Sequence, residues 1–279
     1  MDIKNIVNST KLYNFHSHTQ FCDGRADMVD IVNAAVDAGL KHLGFTPHSP
    51  IPVESLCNMK ETDVDTYINE LNRLKSEYSD RINLYMSMEI DYLGEQWNAA
   101  NDYFSSLPLD YRLSSIHFIP SQDGTLIDVD GSAARFIENV HKHFHSDIRY
   151  VVDTFYRHTL DMIELGGFDI IGHFDKIGWN ASSFQPGIED ENWYQKHIDN
   201  VIDALKSSGI VVEINTKAWL PPVGCTAETA ATYESRLFPS PAVIRRLRDA
   251  GVTLAVNSDV HYTDRITAGR DVAFGIIES

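Results

Sequence analysis

Apolar and polar positions follow two alternating rhythms along this chain. Short apolar runs bounded by Gly, Pro or polar residues give way to stretches where apolar residues recur every three to four positions. The first run is Lys11–His16 (KLYNFH), followed by a loop with Asp23-Gly24. Asp27 then caps a predicted helix bearing Val29, Val32, Val36 and Leu40, with Gly39 near its end. The second run, Leu43–Thr46, stops at Pro47, and Val64, Tyr67, Ile68, Leu71, Leu74 and Tyr78 predict a helix over 62–78. The third run, Ile82–Ile90, is rich in β-formers and leads through a helix near 96–106 and Pro108 to the fourth, YRLSSIHF. A loop, SQDGTLIDVDGS, separates it from two helical patterns, of which the second, Asp147–Leu165, ends at Gly166-Gly167. FDIIGH, IVVEIN and VTLAVNS complete the set, with helices over 193–207 and 241–250 before the last two. Seven strands alternating with helices predict an α/β protein with a parallel sheet able to close into a barrel. No linker or shift of composition divides the chain, so residues 1–279 read as one domain.

What stands at the strand ends changes the picture. The first strand ends at His16 and His18, the second at His48, the third at Glu89, the fourth at His117, the fifth at His173, and the seventh at Asp259 and His261. Asp23 lies in the loop after the first. In a parallel barrel all these positions fall on the C-terminal face, where strand-to-helix loops build active sites. Six imidazoles and three carboxylates at one mouth would repel or stay desolvated without cations between them. His16 and His18 are two apart on an extended segment, so both point to one face and can grip one ion; Asp259 and His261 repeat that geometry. Mixed imidazole and carboxylate ligation favours Zn, Mn or Fe over Ca or Mg, and nine donors suit two or three ions better than one. The other histidines read as structural. His141, His143 and His145 make a solvated helix end, while His42, His158 and His197 are surface or packing residues.

Composition narrows the partners. Lys and Arg total 23 against 40 Asp and Glu, a formal charge of −17, which disfavours long nucleic acids and anionic membrane surfaces. Cys22, Cys57 and Cys225 are an odd, widely spaced set, not a disulfide framework. No apolar run is long enough to span a bilayer, and MDIKNIVNST lacks the apolar core of a secretory signal, so the cytoplasm is the expected compartment. No GxSxG or cysteine-nucleophile signature is present.

The segments FHSHTQFCDG and AVDAGLKHLGFTPHSP resemble the first two motifs of the polymerase and histidinol phosphatase (PHP) family of metal-dependent phosphoesterases. MEIDYLGEQ, SSIHFI, FDIIGHFDKI, VVEINT and FPSPAVIRRLRDAGVTLAVNSDVHY extend the likeness, and the whole is most similar to the family's monofunctional histidinol-phosphatases. The resemblance implies a distorted (β/α)7 barrel and a trinuclear site. His16, His18, Glu89 and Asp259 would hold one ion, with Glu89 bridging to a second bound by His117 and His173. Asp23, His48 and His261 would hold the third; many relatives carry a histidine where this chain has Asp23. It also implies hydrolysis of a small phosphorylated substrate, histidinol phosphate or another small ester or nucleotide, with release of phosphate. Three divalent ions against three carboxylates would leave a positive island for a phosphate within an acidic exterior. A metal-activated water would attack phosphorus, Asp259 would pass the proton to the departing alcohol, and Arg157 would hold the phosphoryl group. GHFDKIGWN lacks the fuller basic or apolar pattern that such phosphatases often show after the fifth-strand histidine, and Lys176 is not counted on to reach the mouth. Asp91, Tyr92, Glu95 and Trp219 are the expected readers of the alcohol half, with the segment 219–233 shaping specificity.

Overall fold

The apolar runs pair in the order in which they occur. In the computed structural model, which describes all 279 residues, they form strands β1 (Tyr13–Asn14), β2 (His42–Phe45), β3 (Asn83–Met86), β4 (Glu89–Asp91), β5 (Leu113–Ser115), β6 (Phe118–Pro120), β7 (Leu126–Asp128), β8 (Ile170–Ile171), β9 (Val211–Asn215) and β10 (Leu254–Asn257). One parallel sheet has the order β1-β2-β3 and another β10-β9-β8-β5-β4. β3 and β4 are halves of the single third run, interrupted at Ser87-Met88. Two parallel bridges join the sheets. His48 pairs with Glu89, and Ser17 pairs with Val260, where the His18 amide donates to the Val260 carbonyl at 2.9 Å. Parallel pairing therefore passes through all seven predicted runs and returns from the last to the first. This is a distorted (β/α)7 barrel whose two seams are single bridges. Continuous apolar runs are what strands covered on both faces require.

Tyr111 from the approach to β5 crosses the barrel interior, and its hydroxyl donates to the Phe15 carbonyl at 2.6 Å. A side chain on Gly44 of β2 would collide with it, since a Cβ there would lie 1.9 Å from the Tyr111 oxygen. Tyr13, Phe15, Leu113, Ile170, Val211 and Ala255 fill the same interior, closed by Ile3 of the helix Ile3–Ser9. The larger core lies between barrel and outer helices, drawing on the apolar faces of Met28–Asp37, Val64–Glu77, Ile148–Leu165 and Asn192–Ser208. No helix is long and apolar enough to cross a membrane.

The structure departs from the predicted elements in a few places. The predicted loop SQDGTLIDVDGS contains β7, which pairs antiparallel with β6 and sets Phe118 opposite Asp128. Two three-residue strands around Asp123-Gly124 are too short and too polar to read as apolar runs. The helix expected near 96–106 is confined to Asp102–Ser106. Helices Ile3–Ser9, Ile177–Phe184, Ala227–Thr232 and Arg270–Glu278 were not expected from spacing.

Candidate metal centre

Each barrel strand delivers one or two polar side chains to the same end. Glu89, the first residue of β4, lies at their centre. Its Oε2 is 3.2 Å from His16 Nε2, 3.4 Å from His18 Nε2 and 3.2 Å from His48 Nδ1. Its Oε1 is 3.0 Å from His173 Nε2 and 3.4 Å from His117 Nε2. Asp259 Oδ1 lies 3.0 Å from His18 Nε2 and 3.4 Å from His261 Nδ1. Asp23 Oδ1 is 3.2 Å from His261 Nε2 and 3.7 Å from His48 Nε2. All nine predicted side chains thus converge. His16, His18, Glu89, His117, His173 and Asp259 are buried.

The donor set fits cations, and the hydrogen bonding says why. His16 Nδ1 is held by Glu213 at 2.7 Å and His117 Nδ1 by Asp91 at 2.7 Å. Each ring thereby offers the lone pair of its Nε2 to the cluster. There it meets other acceptors: His16 Nε2 faces His18 Nε2 at 3.0 Å and Glu89 Oε2 at 3.2 Å. Asp23 Oδ1 and His48 Nδ1 are buried without any hydrogen-bond partner. Buried acceptors turned on one another, with their outer atoms fixed by carboxylates, are the pattern of imidazoles oriented for metal. Three groups can each hold an ion: His18, Asp23, His48 and His261; His16, His18 and Glu89; and His48, Glu89 and His117.

Charge follows from this crowding. With no cation between them, Glu213, Asp259 and Glu89 outweigh the downward push of burial and raise the His16 imidazole to about 10, so that a proton takes the Nε2 lone pair that a metal would otherwise use. Burial raises the Glu89 carboxyl, yet His16, His48 and His117 hold it well below the usual carboxylate range. Burial, Lys217 and His18 push His261 down to about 4. Asp259 carries a positive φ of 46°, a left-handed backbone unusual for a non-glycine residue at the point where its side chain turns into the cluster.

Several functional residues escaped the sequence. Glu213, fully buried on β9, accepts from His16 and Asn257 on one oxygen and from the His173 amide and Asn215 on the other. Asn215 also donates to Asp259 at 3.0 Å, so one carboxylate ties together three strand ends. The signal was an acid inside the apolar run IVVEIN. Lys217 Nζ stands 3.5 Å from Asp259 Oδ1 and 3.2 Å from His261 Nε2. It follows a strand end directly, which is the rule that found the histidines.

Two adjoining cavities open over the cluster, sharing Asp23, Gly131, Lys176, Lys217 and Asp259. The smaller, of about 280 Å³, reaches Glu89, His117 and His173 and is bordered by Asp128 and Asp130. The larger, of about 560 Å³, has Trp179, Tyr233, Leu220 and Val223 in its walls with Arg25 and Arg265. The segment 219–233 therefore does shape a cavity wall. Arg157, expected at the phosphoryl group, is exposed on Ile148–Leu165 and lines neither cavity, because that helix turns its apolar face to the barrel and Arg157 away from it. Asp91 is occupied with His117 and Asn58, while Tyr92, Glu95 and Trp219 line neither cavity. Lys176 does reach the mouth, paired with Asp130 at 2.7 Å. His42 bonds the Tyr85 hydroxyl, His197 bonds Asp153, and His158 packs on Tyr92, as structural histidines do.

Known proteins are similar to this chain along nearly its whole length. The chain is 24% identical over 278 residues to the probable histidinol-phosphatase of Deinococcus radiodurans, covering 94% of each. It is 21% identical over 261 residues to the histidinol-phosphatase of Bacillus subtilis, covering 88% of this chain and 92% of that protein. A solved structure from Listeria monocytogenes superposes with a TM-score of 0.78 at 18% identity, covering 93% of this chain and 99% of that one. Histidinol phosphate phosphatase from Lactococcus lactis, solved with zinc, L-histidinol and phosphate, superposes with a TM-score of 0.67 at 18% identity, covering 96% and 93%. These likenesses establish the fold. The PHP domain model matches residues 14–217, most of the barrel, and the chain belongs to the PHP family.

Proposed function

We propose that this protein is a metal-dependent phosphomonoesterase that hydrolyses L-histidinol phosphate to L-histidinol and phosphate, acting in the cytoplasm as one domain over residues 1–279. The observation that carries the reading is the convergence of nine imidazole and carboxylate ligand types, with lone pairs opposed and outer atoms fixed, beneath a cavity of substrate size. Curated relatives along nearly the whole chain bear the histidinol-phosphatase name, which supports the substrate.

His16, His18, Glu89 and Asp259 would hold one ion, Glu89, His117 and His173 a second, and Asp23, His48 and His261 a third, with Zn, Mn or Fe as the candidates. When bound, such ions supply Lewis acidity, acidifying a water and neutralising phosphoryl oxygens. Asp259 takes the proton shed as the water oxygen bonds to phosphorus. It returns that proton to the alcohol oxygen as the old ester bond breaks. Lys217, at the junction of both cavities, takes the phosphoryl-holding part expected of Arg157, through charge-assisted hydrogen bonds. Glu213 and Asp91 act through the rings they hold.

Phosphate release from L-histidinol phosphate, measured after metal depletion and reloading with Mn or Zn, tests the reading. A kcat/KM of ~10⁴ M⁻¹s⁻¹ or more, far above simple phosphomonoesters and mononucleotides, is the expected result. Asp259→Asn should cost at least ~100-fold in kcat even when it is measured at saturating metal. A second reading, a mononucleotide phosphatase, is favoured by one feature: the larger cavity sets Trp179 and Tyr233 beside Arg25 and Arg265, a surface for a flat ring and an anion. Preference for a mononucleotide in the same panel would select it.

A further inference from the structure

The two cavities beside the cluster differ in charge, and the difference orients the substrate. In the larger, Arg25 and Arg265 pair with no carboxylate; Lys176, Lys217, Asp23 and Asp259 line both cavities, and the two acids belong to the ligand set. A cationic leaving group would be repelled there. In the smaller, Lys217 lies against Asp259 and Lys176 is neutralised by Asp130, which leaves Asp128.

Asp128 is built for one job. Its Oδ1 accepts the Asp130 amide at 2.9 Å, while its Oδ2 has only the exposed Arg135, at 3.5 Å. The backbone around it is pinned from three sides. Asn139 donates to the Asp128 carbonyl at 2.9 Å, buried Asn180 donates to the carbonyls of Val129 and Asp130, and the Val129 amide donates to the carbonyl of His117. The β6–β7 register thus ties this carboxylate to the strand end that carries a cluster histidine. A carboxylate fixed at one oxygen, open at the other and beside the reacting centre is preorganised for a cation on the substrate.

We infer that Asp128 determines specificity by receiving the ammonium group of the substrate's alcohol half, which seats that half in the smaller cavity and leaves the larger one free of it. The inference rests on the histidinol phosphate reading and deepens it.

Metal-loaded wild type and Asp128→Asn are compared on L-histidinol phosphate and on its deaminated analogue, 3-(imidazol-4-yl)propyl phosphate. Asp128→Asn should raise KM for the aminated ester by ~10-fold to 100-fold, with kcat within about threefold, and leave the deaminated ester unchanged. Calorimetry should show the same weakening for L-histidinol itself, a readout independent of turnover. Arg135→Ala removes the competing cation and should shift the aminated KM the other way. An unchanged ratio of the two KM values in both variants, with turnover of histidinol phosphate intact, overturns the inference alone. Failure of wild type to hydrolyse histidinol phosphate overturns the proposed function and the inference with it.

Discussion

Under the C-terminal helix Arg270–Glu278, Arg270 is buried with no carboxylate partner, yet its guanidinium is answered by the carbonyls of Lys11, Tyr13 and Val256 and stacks near Tyr13 and Phe274. At the C-terminal ends of the strands, buried imidazoles and carboxylates meet acceptor to acceptor, and two of their atoms have no partner at all. Both regions bury charge in the same barrel. One completes its hydrogen bonds within the fold, and the other leaves them for something that arrives later. A buried polar group is structural when its partners are counted and found, and functional when the count fails in a way one ligand type would mend.

Removing metal should break this contrast most sharply. Chelation should abolish phosphate release, by ~1000-fold or more, and lower stability by about 4 kcal/mol relative to protein held at a thousandfold excess over Kd. Stability unchanged on chelation would mean that the cluster needs no cation. At the other region, Arg270→Leu strands three carbonyls and should cost about 3–5 kcal/mol in urea unfolding while leaving metal content alone. An equal loss of metal would show that the two regions are not independent.

The strand-end ligands were legible because buried parallel strands are apolar, so a histidine or acid that ends one stands out, and barrel topology gathers every such end to one face. The seven runs were legible for the same reason. β7 was not, since three residues of Leu-Ile-Asp between turns carry no run to detect. Helix Ile177–Phe184 was hidden by Gly178 and Asn180, and Arg270–Glu278 by its lack of a capping signal at Gly269. Arg157 rests on resemblance, with no spacing behind it, and the exposed helix face it occupies sets it outside both cavities.

Two smaller effects sharpen the comparison inside the mouth. Glu213→Gln keeps shape but loses the charge that fixes His16. It should weaken metal binding by ~10–100-fold, seen as reduced metal content after dialysis and recovered at high metal. Lys217→Ala should lower kcat/KM by about tenfold, whereas Arg157→Ala should stay within about twofold. The reverse ranking would return the phosphoryl contact to the Ile148–Leu165 helix.

The most direct measurement is an anomalous-scattering map of crystals grown from Zn- or Mn-reloaded protein. Two or three peaks should lie among His16, His18, Asp23, His48, Glu89, His117, His173, Asp259 and His261, with ligand atoms about 2.0–2.2 Å away. A map without peaks there, from protein that is active in the same drop, would contradict the assignment of this cluster as the metal centre.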